Sequence, residues 1–243
     1  MCGIAGLLEF AEVAAPETLE RMTAVLAHRG PQQRGIRWID DPSVRVGLGH
    51  ARLKIIDLSE AAGQPMRNDD GSMWIVFNGE IYNYRELRRR LQQRGVSCRT
   101  ESDTEVLLRW YEAEGSSCVR RFEGMFAFAI WDGRRRRLIM ARDRVGKKPL
   151  FYASTPRRFA FASEIKALLQ HPGLGADVNE AALPAFFSYG YVPTPHTLYR
   201  NVRAVPPGHL AEVTLDGSVR LEAYWELPMT ARAARTSPSD AEA

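Results

Sequence analysis

The sequence predicts an α+β fold built on antiparallel sheets, and three observations carry that prediction. First, turn dipeptides separate neighbouring apolar stretches. Asp132-Gly133 lies between Met125–Asp132 and Leu138–Arg142, Thr155-Pro156 between Leu150–Ala153 and Phe159–Ser163, and Asp216-Gly217 between Leu210–Leu215 and Val219–Ala223. Each reads as a hairpin. Second, stretches of helical period are scattered among these hairpins without regular strand–helix alternation. Third, no G-x-G-x-x-G or P-loop pattern follows a strand, so a nucleotide site is not supported. Hairpins mixed with helices favour antiparallel sheets covered by helices over a parallel, doubly wound sheet.

The elements follow in order. Met1–Glu9 reads as a strand. Pro16–Leu26 places Leu19, Met22, Val25 and Leu26 at helical spacing. Gly30, Pro31 and Gly35 break His28–Gly35 into a loop. Val44–Ile56 reads as strand and extended chain, and Met73–Phe77 as a short apolar strand running into Asn78-Gly79-Glu80. Tyr84–Gln93 is helical, with Leu87 and Leu91 stacked at i,i+4. Ser102-x-x-Glu105 is a capping-box pattern, so a helix starts there and runs to Gly115, burying Val106, Leu107, Trp110 and Tyr111. Glu164–Leu169 and Glu180–Phe187 are short helices. After Pro228 the hydrophobic pattern ends in Ala, Arg, Ser and Pro. The expected organisation is one domain over 1–227 and a flexible tail or linker remnant over 228–243.

Composition bounds the function. In 243 residues, 45% are apolar and 26% charged, which excludes a disordered chain, a fibre and a coiled coil. A net charge of +4 argues for neither a nucleic-acid nor a membrane partner. The Arg88–Arg90 and Arg134–Arg137 clusters read as solvated surface. No apolar run approaches the roughly 18 residues a membrane span needs. Gly3–Leu8 has no basic flank, so it is a poor signal peptide. Cys2, Cys98 and Cys118 match neither a disulfide framework nor a zinc site, and the histidines show no metal-ligand spacing. A cytoplasmic protein with reduced thiols and no metal is expected.

Cys2 carries the most chemical information. A Cys directly after the initiator Met becomes the N-terminus once Met1 is removed. Its α-amine, with an ordinary pKa of roughly 7.7–8.0, can then act as general base toward its own thiol. A thiolate made this way can attack an amide or ester carbonyl.

The remaining motifs bear on that residue. Met1-Cys2-Gly3-Ile4-Ala5-Gly6, His28-Arg29-Gly30-Pro31, Gly49-His50-Ala51-Arg52-Leu53 and Phe77-Asn78-Gly79-Glu80-Ile81-Tyr82-Asn83 occur in that order. Ser102-Asp103-Thr104-Glu105, Glu123–Phe128, Ala141–Leu150, Phe161–Lys166, Pro206–His209 and Tyr224-Trp225 continue the series. As a set they resemble the class II, N-terminal-nucleophile glutamine amidotransferases. The later segments are similar to the glutamine-hydrolysing asparagine synthetases in particular. The resemblance covers about residues 1–228.

It implies a four-layer αββα sandwich of two antiparallel sheets and hydrolysis of L-glutamine to glutamate and ammonia. Cys2 would be the nucleophile. The Asn78 side-chain NH₂ and the Gly79 backbone N–H would form an oxyanion hole. Arg52 suits the glutamine α-carboxylate, and Asp103 and Glu80 suit its α-ammonium. Backbone groups of Leu53, Lys54, Ile55 and Ile56 would line the same pocket. His28 and His50 read as structural, because the amine makes a Cys–His pair unnecessary.

Two departures stand out. Gln32 occupies the position where the family usually carries Asp after His28–Pro31. The Ser-Gly-Gly-x-Asp-Ser ATP loop of the asparagine synthetases does not occur here. ATP and magnesium are therefore expected only in an absent synthetase domain or partner chain, which would receive the ammonia for aspartate. Phe186–Leu198, rich in aromatics and proline, is the surface expected to pack on it. A homodimer, a stand-alone glutaminase for another acceptor, and a non-catalytic glutamine-binding or docking module remain open alternatives.

Overall fold

The computed structural model describes residues 1–10 and 15–228. The expected tail, 228–243, falls outside the described residues apart from Pro228. Two six-stranded, wholly antiparallel sheets form the centre. The strands of the first are β1 (Gly3–Glu9), β2 (Gln33–Asp41), β3 (Val44–Arg52), β8 (Phe151–Thr155), β9 (Arg158–Ala162) and β10 (Val202–Ala204), in the order β10-β8-β9-β1-β3-β2. Those of the second are β4 (Met66–Arg67), β5 (Met73–Ile81), β6 (Gly124–Asp132), β7 (Arg137–Arg142), β11 (His209–Val213) and β12 (Val219–Ala223), in the order β12-β11-β7-β6-β5-β4. All three predicted hairpins form.

Strand alternation divides the apolar residues into three cores. Ile4, Leu8, Val46 and Leu48 face Val76, Ala127, Ala129 and Met140 between the sheets. Ala5, Leu7 and Ala51 point outward to α1 (Pro16–Ala24) and α4 (Ile165–Leu168). Ile75, Phe77, Phe126 and Phe128 point the other way, to α2 (Tyr84–Gln93) and α3 (Asp103–Glu114). Helix, sheet, sheet and helix therefore stack as the four layers expected.

Three local expectations are corrected. His28–Gly35 is not loop throughout, because β2 begins at Gln33. As the edge of its sheet, β2 is only partly covered, so its apolar residues alternate too weakly to be read. The strand at Met73 continues through Asn78-Gly79 to Ile81, because β6 pairs with it as far as Gly124. Ser102 does cap α3, accepting from Thr104 N–H at 3.0 Å. Glu105, however, does not close the box. Its carboxylate takes the N–H groups of Arg99 and Thr100 at 2.9 and 2.7 Å, fastening the chain before the helix.

Candidate active site

Register gathers the predicted residues at one end of the inter-sheet layer. Gly3 pairs with Ala51 and Ile4 with His50, so Cys2 continues β1 opposite Arg52. Asn78 follows Val76 on the face of β5 that looks back at the first sheet. Met1, Cys2, Arg52, Leu53, Ile55, Ile56, Asn78, Gly79, Glu80 and Asp103 line one cleft there.

Cys2 is half-buried, and its Sγ accepts from Leu53 N–H at 3.3 Å. Burial pushes the thiol above its ordinary range, while the Leu53 bond, the N-terminus and Arg52 pull against that. Its backbone carbonyl accepts from Arg29 Nε at 3.0 Å, and Arg29 is held by Glu164 at 2.7 Å. Gly30 follows because the chain presses on β3: a Cβ there would lie 2.3 Å from the Ala51 carbonyl oxygen. The Gln32 Oε1 takes Lys54 N–H at 2.6 Å. The amide thus supplies an acceptor to the wall loop from the position where a carboxylate was expected.

Asn78 is fully buried, and neither its Oδ1 nor its Nδ2 has a hydrogen-bond partner among the described residues. Buried amides are ordinarily satisfied, so both polar atoms of this one are open to a hydrogen-bonding group in the cleft. Gly79 is neighbour to that amide. A Cβ on it would stand 2.2 Å from the Met125 carbonyl oxygen. Phe126, paired with Gly79 in register, gives its N–H to Asp143 Oδ2 and accepts from Asp143 N–H. By strand alternation the Gly79 N–H therefore faces away from β6, on the edge where Phe77 N–H meets Gln64 at 2.6 Å and Ile81 N–H meets Asp103 at 3.0 Å.

Arg52 is buried at the cleft wall. It donates to Gln33 Oε1 at 2.8 Å and to the carbonyls of Ser59 and Asp57 at 2.9 and 2.5 Å. These bonds hold the loop after β3 around the cation. Burial pushes the Asp103 carboxyl up to about 6, against the Ile81 and Thr104 N–H groups that favour its charge, with the nearby Glu80 adding to the rise. Two carboxylates in a poorly solvated pocket suit a cationic ligand group.

Not every expectation meets in the cleft. Lys54, expected there through its backbone, is not among the residues lining the cleft: its N–H goes to Gln32, and its side chain pairs with Glu60. His50 is buried, its Nε2 against the Phe77 carbonyl at 3.1 Å, and burial pushes its pKa down to about 3. It is thus a neutral tie between the sheets, not a partner of Cys2. Sequence reasoning missed Gln64, Thr104 and Lys148 as lining residues. Gln64 carried no signal; the other two lay inside quoted motifs. Among the described residues no cluster of three His, Cys, Asp or Glu side chains is arranged to hold a metal, and no helix is long and apolar enough to cross a membrane.

The layered sheets with a cysteine at the head of a central strand are the fold of an N-terminal-nucleophile hydrolase. A solved glutamine phosphoribosylpyrophosphate amidotransferase from B. subtilis shares it, with a TM-score of 0.68 and 20% identity over 93% of this chain and 50% of that one. The chain belongs to the glutamine amidotransferase domain family, whose model matches residues 1–225. It is 36% identical to a putative glutamine-hydrolysing asparagine synthetase 2 of Methanocaldococcus jannaschii, over 94% of this chain and 47% of that protein. It is 38% identical to the glutamine-hydrolysing asparagine synthetase 3 of Bacillus subtilis, over 93% of this chain and 37% of that protein. The chain spans less than half the length of either relative.

Proposed function

We propose that this domain hydrolyses L-glutamine to glutamate and ammonia through a thioester on Cys2. The unsatisfied, fully buried amide of Asn78 on the face opposite Cys2 supports this most directly. With Met1 removed, the Cys2 amine takes the thiol proton and Sγ attacks the side-chain amide carbon of glutamine. The S–C bond forms as the carbonyl π pair moves to oxygen, where Asn78 Nδ2–H and Gly79 N–H donate to the oxyanion. Collapse breaks the C–N bond, the ammonium gives its proton to the departing nitrogen, and ammonia leaves. Water then adds to the thioester, the amine again carries the proton, and glutamate departs as the thiol re-forms. A thiol pushed up by burial needs such a base. Arg52 would hold the α-carboxylate, and Asp103 with Glu80 the α-ammonium.

The relatives' names support an acceptor half that makes asparagine, in the same polypeptide or a partner chain; in this reading that half holds the ATP and magnesium, and the aspartate that receives the ammonia. Helix α5 (Leu183–Tyr189) fits its docking face: none of its side chains is buried, and Phe187 and Tyr189 are 80% and 66% exposed. A cytoplasmic location suits this chemistry. The alternative is a glutamine-binding module without turnover, the outcome for a chain that keeps Met1 and so has an amide in place of the base. Glutamate release from L-glutamine by the purified chain, with Cys2→Ala as control, decides between them. Release that vanishes in the variant supports the hydrolase, and none from the wild type supports the module.

A further inference from the structure

Lys148 is 3% exposed, and its Nζ meets Met1 Sδ at 2.9 Å. Among the described residues no carboxylate lies in ion-pair range of it. A thioether is a weak acceptor, and a buried cation without a counter-charge is costly. Its position is nonetheless built. Asp143, fully buried, accepts Lys147 and Lys148 N–H at 2.9 Å each, together with Phe126 N–H at 3.2 Å. Arg142 donates to the Gly146, Lys148 and Val205 carbonyls at 2.8 Å each. The segment after β7 is thereby fixed, and it delivers the ammonium to the cleft wall beside Met1 and Cys2. Removal of Met1 takes that sulfur away and leaves a new amine on Cys2.

We propose that Lys148 is a positioning residue for the Cys2 amine: its ammonium, held beside the new N-terminus, keeps that amine unprotonated and so able to act as base. This rests on the thioester chemistry above. Two like charges in a poorly solvated cleft disfavour each other. The charged groups acting on the amine of Met1, which precedes the Cys2 nitrogen, are the Cys2 thiol, Arg29 and Lys148. Arg29 already faces Glu164. Burial pulls Lys148 below its ordinary range and Arg29 adds to that, while Asp143, Cys2 and Glu80 favour its charge. The Asp143 charge is shared among backbone N–H groups, and Glu80 lies where the substrate ammonium would draw it. Arg52 and Asp103 act on the thiol, with opposite sign. Lys148 is thus the cation with least compensation. Burial lowers the Met1 amine, one residue ahead of the Cys2 nitrogen, below its ordinary range, and Arg29 and Lys148 push the same way while the Cys2 thiol opposes them.

The test compares pH profiles of kcat/KM for wild type, Lys148→Met and Lys148→Arg. The acidic limb should move up by about one pH unit in Lys148→Met and stay in place in Lys148→Arg, with KM within about 2-fold. An unmoved limb, or a loss equal at every pH, overturns the proposal. The amine is also read without turnover. The acetylation rate of the N-terminus against pH, followed by mass spectrometry in the Cys2→Ala chain, should show the same displacement when Lys148→Met is added. No displacement there overturns it as well. If Lys148→Met fails to fold, Lys148→Gln takes its place. A wild-type chain that releases no glutamate would sink the thioester reading alone, since the acetylation comparison still decides Lys148.

Discussion

Leu53 N–H points at Cys2 Sγ from 3.3 Å, with the Leu53 carbonyl 3.6 Å from the same sulfur. The contact exists because β1 and β3 pair up to Gly3 and Ala51, so the chain leaving β3 must pass the residue that precedes β1. One backbone donor both aims the sulfur and favours its thiolate. Cys2→Ala should therefore abolish glutamate release while leaving stability within about 1 kcal/mol of wild type, measured by coupled glutamate assay and thermal unfolding.

Asn78→Ala should lower kcat by about 10²–10³-fold with little change in KM, if the amide meets only the oxyanion. Stability should hold or rise, because the substitution removes a buried polar group that has no partner. An unchanged kcat would strip Asn78 of this role.

Arg52→Ala should raise KM by roughly 10–100-fold and change kcat less, as expected for a charged contact made equally in ground and transition states. The Asp57 and Ser59 carbonyls also lose their donor. Faster proteolysis of the 53–59 loop should accompany the kinetic change.

Asp103 has its carboxyl raised from 3.8 to about 6 by burial. A raised folded-state value favours the fold while the group is protonated, fully below about pH 4, and that advantage disappears as pH rises through 6. Asp103→Asn should consequently be more stable than wild type by ~1–3 kcal/mol at pH 8, and the gap should close toward pH 4. The same variant should bind glutamine more weakly at pH 8. Calorimetry across pH, with and without glutamine, reads both effects; a gap that does not depend on pH would refute the first.

Gly79→Ala should destabilise by about 1–3 kcal/mol, since its Cβ meets strand backbone that cannot swing aside. Chemical denaturation measures it. A neutral result would mean that β5 and β6 can part at this point.

Much of this was legible from residues alone. The hairpins at Asp132-Gly133, Thr155-Pro156 and Asp216-Gly217 are written in local turn chemistry, and α2 and α3 in apolar spacing. Cys2 announced itself through position, because only the second residue can gain an amine by loss of Met1. Other features had no local signature. β2 is an edge strand whose covering is decided by β3, and Asn78-Gly79 carries a turn signal that pairing with β6 overrides.

Local chemistry alone therefore sets the period of each element, the turn residues and the presence of a potential N-terminal nucleophile, all properties of short stretches of chain. Packing between distant elements settles which of the motif residues meet. Register set Cys2 opposite Arg52, and the stacking of the second sheet brought Asn78 to face them with its amide unpaired. The Asp143 and Arg142 hydrogen bonds carried Lys148 into the same cleft, while Lys54, one residue from the wall, turned out to Glu60. The physical reason is that burial and hydrogen-bond completion are settled between elements distant in sequence, where no local pattern records them.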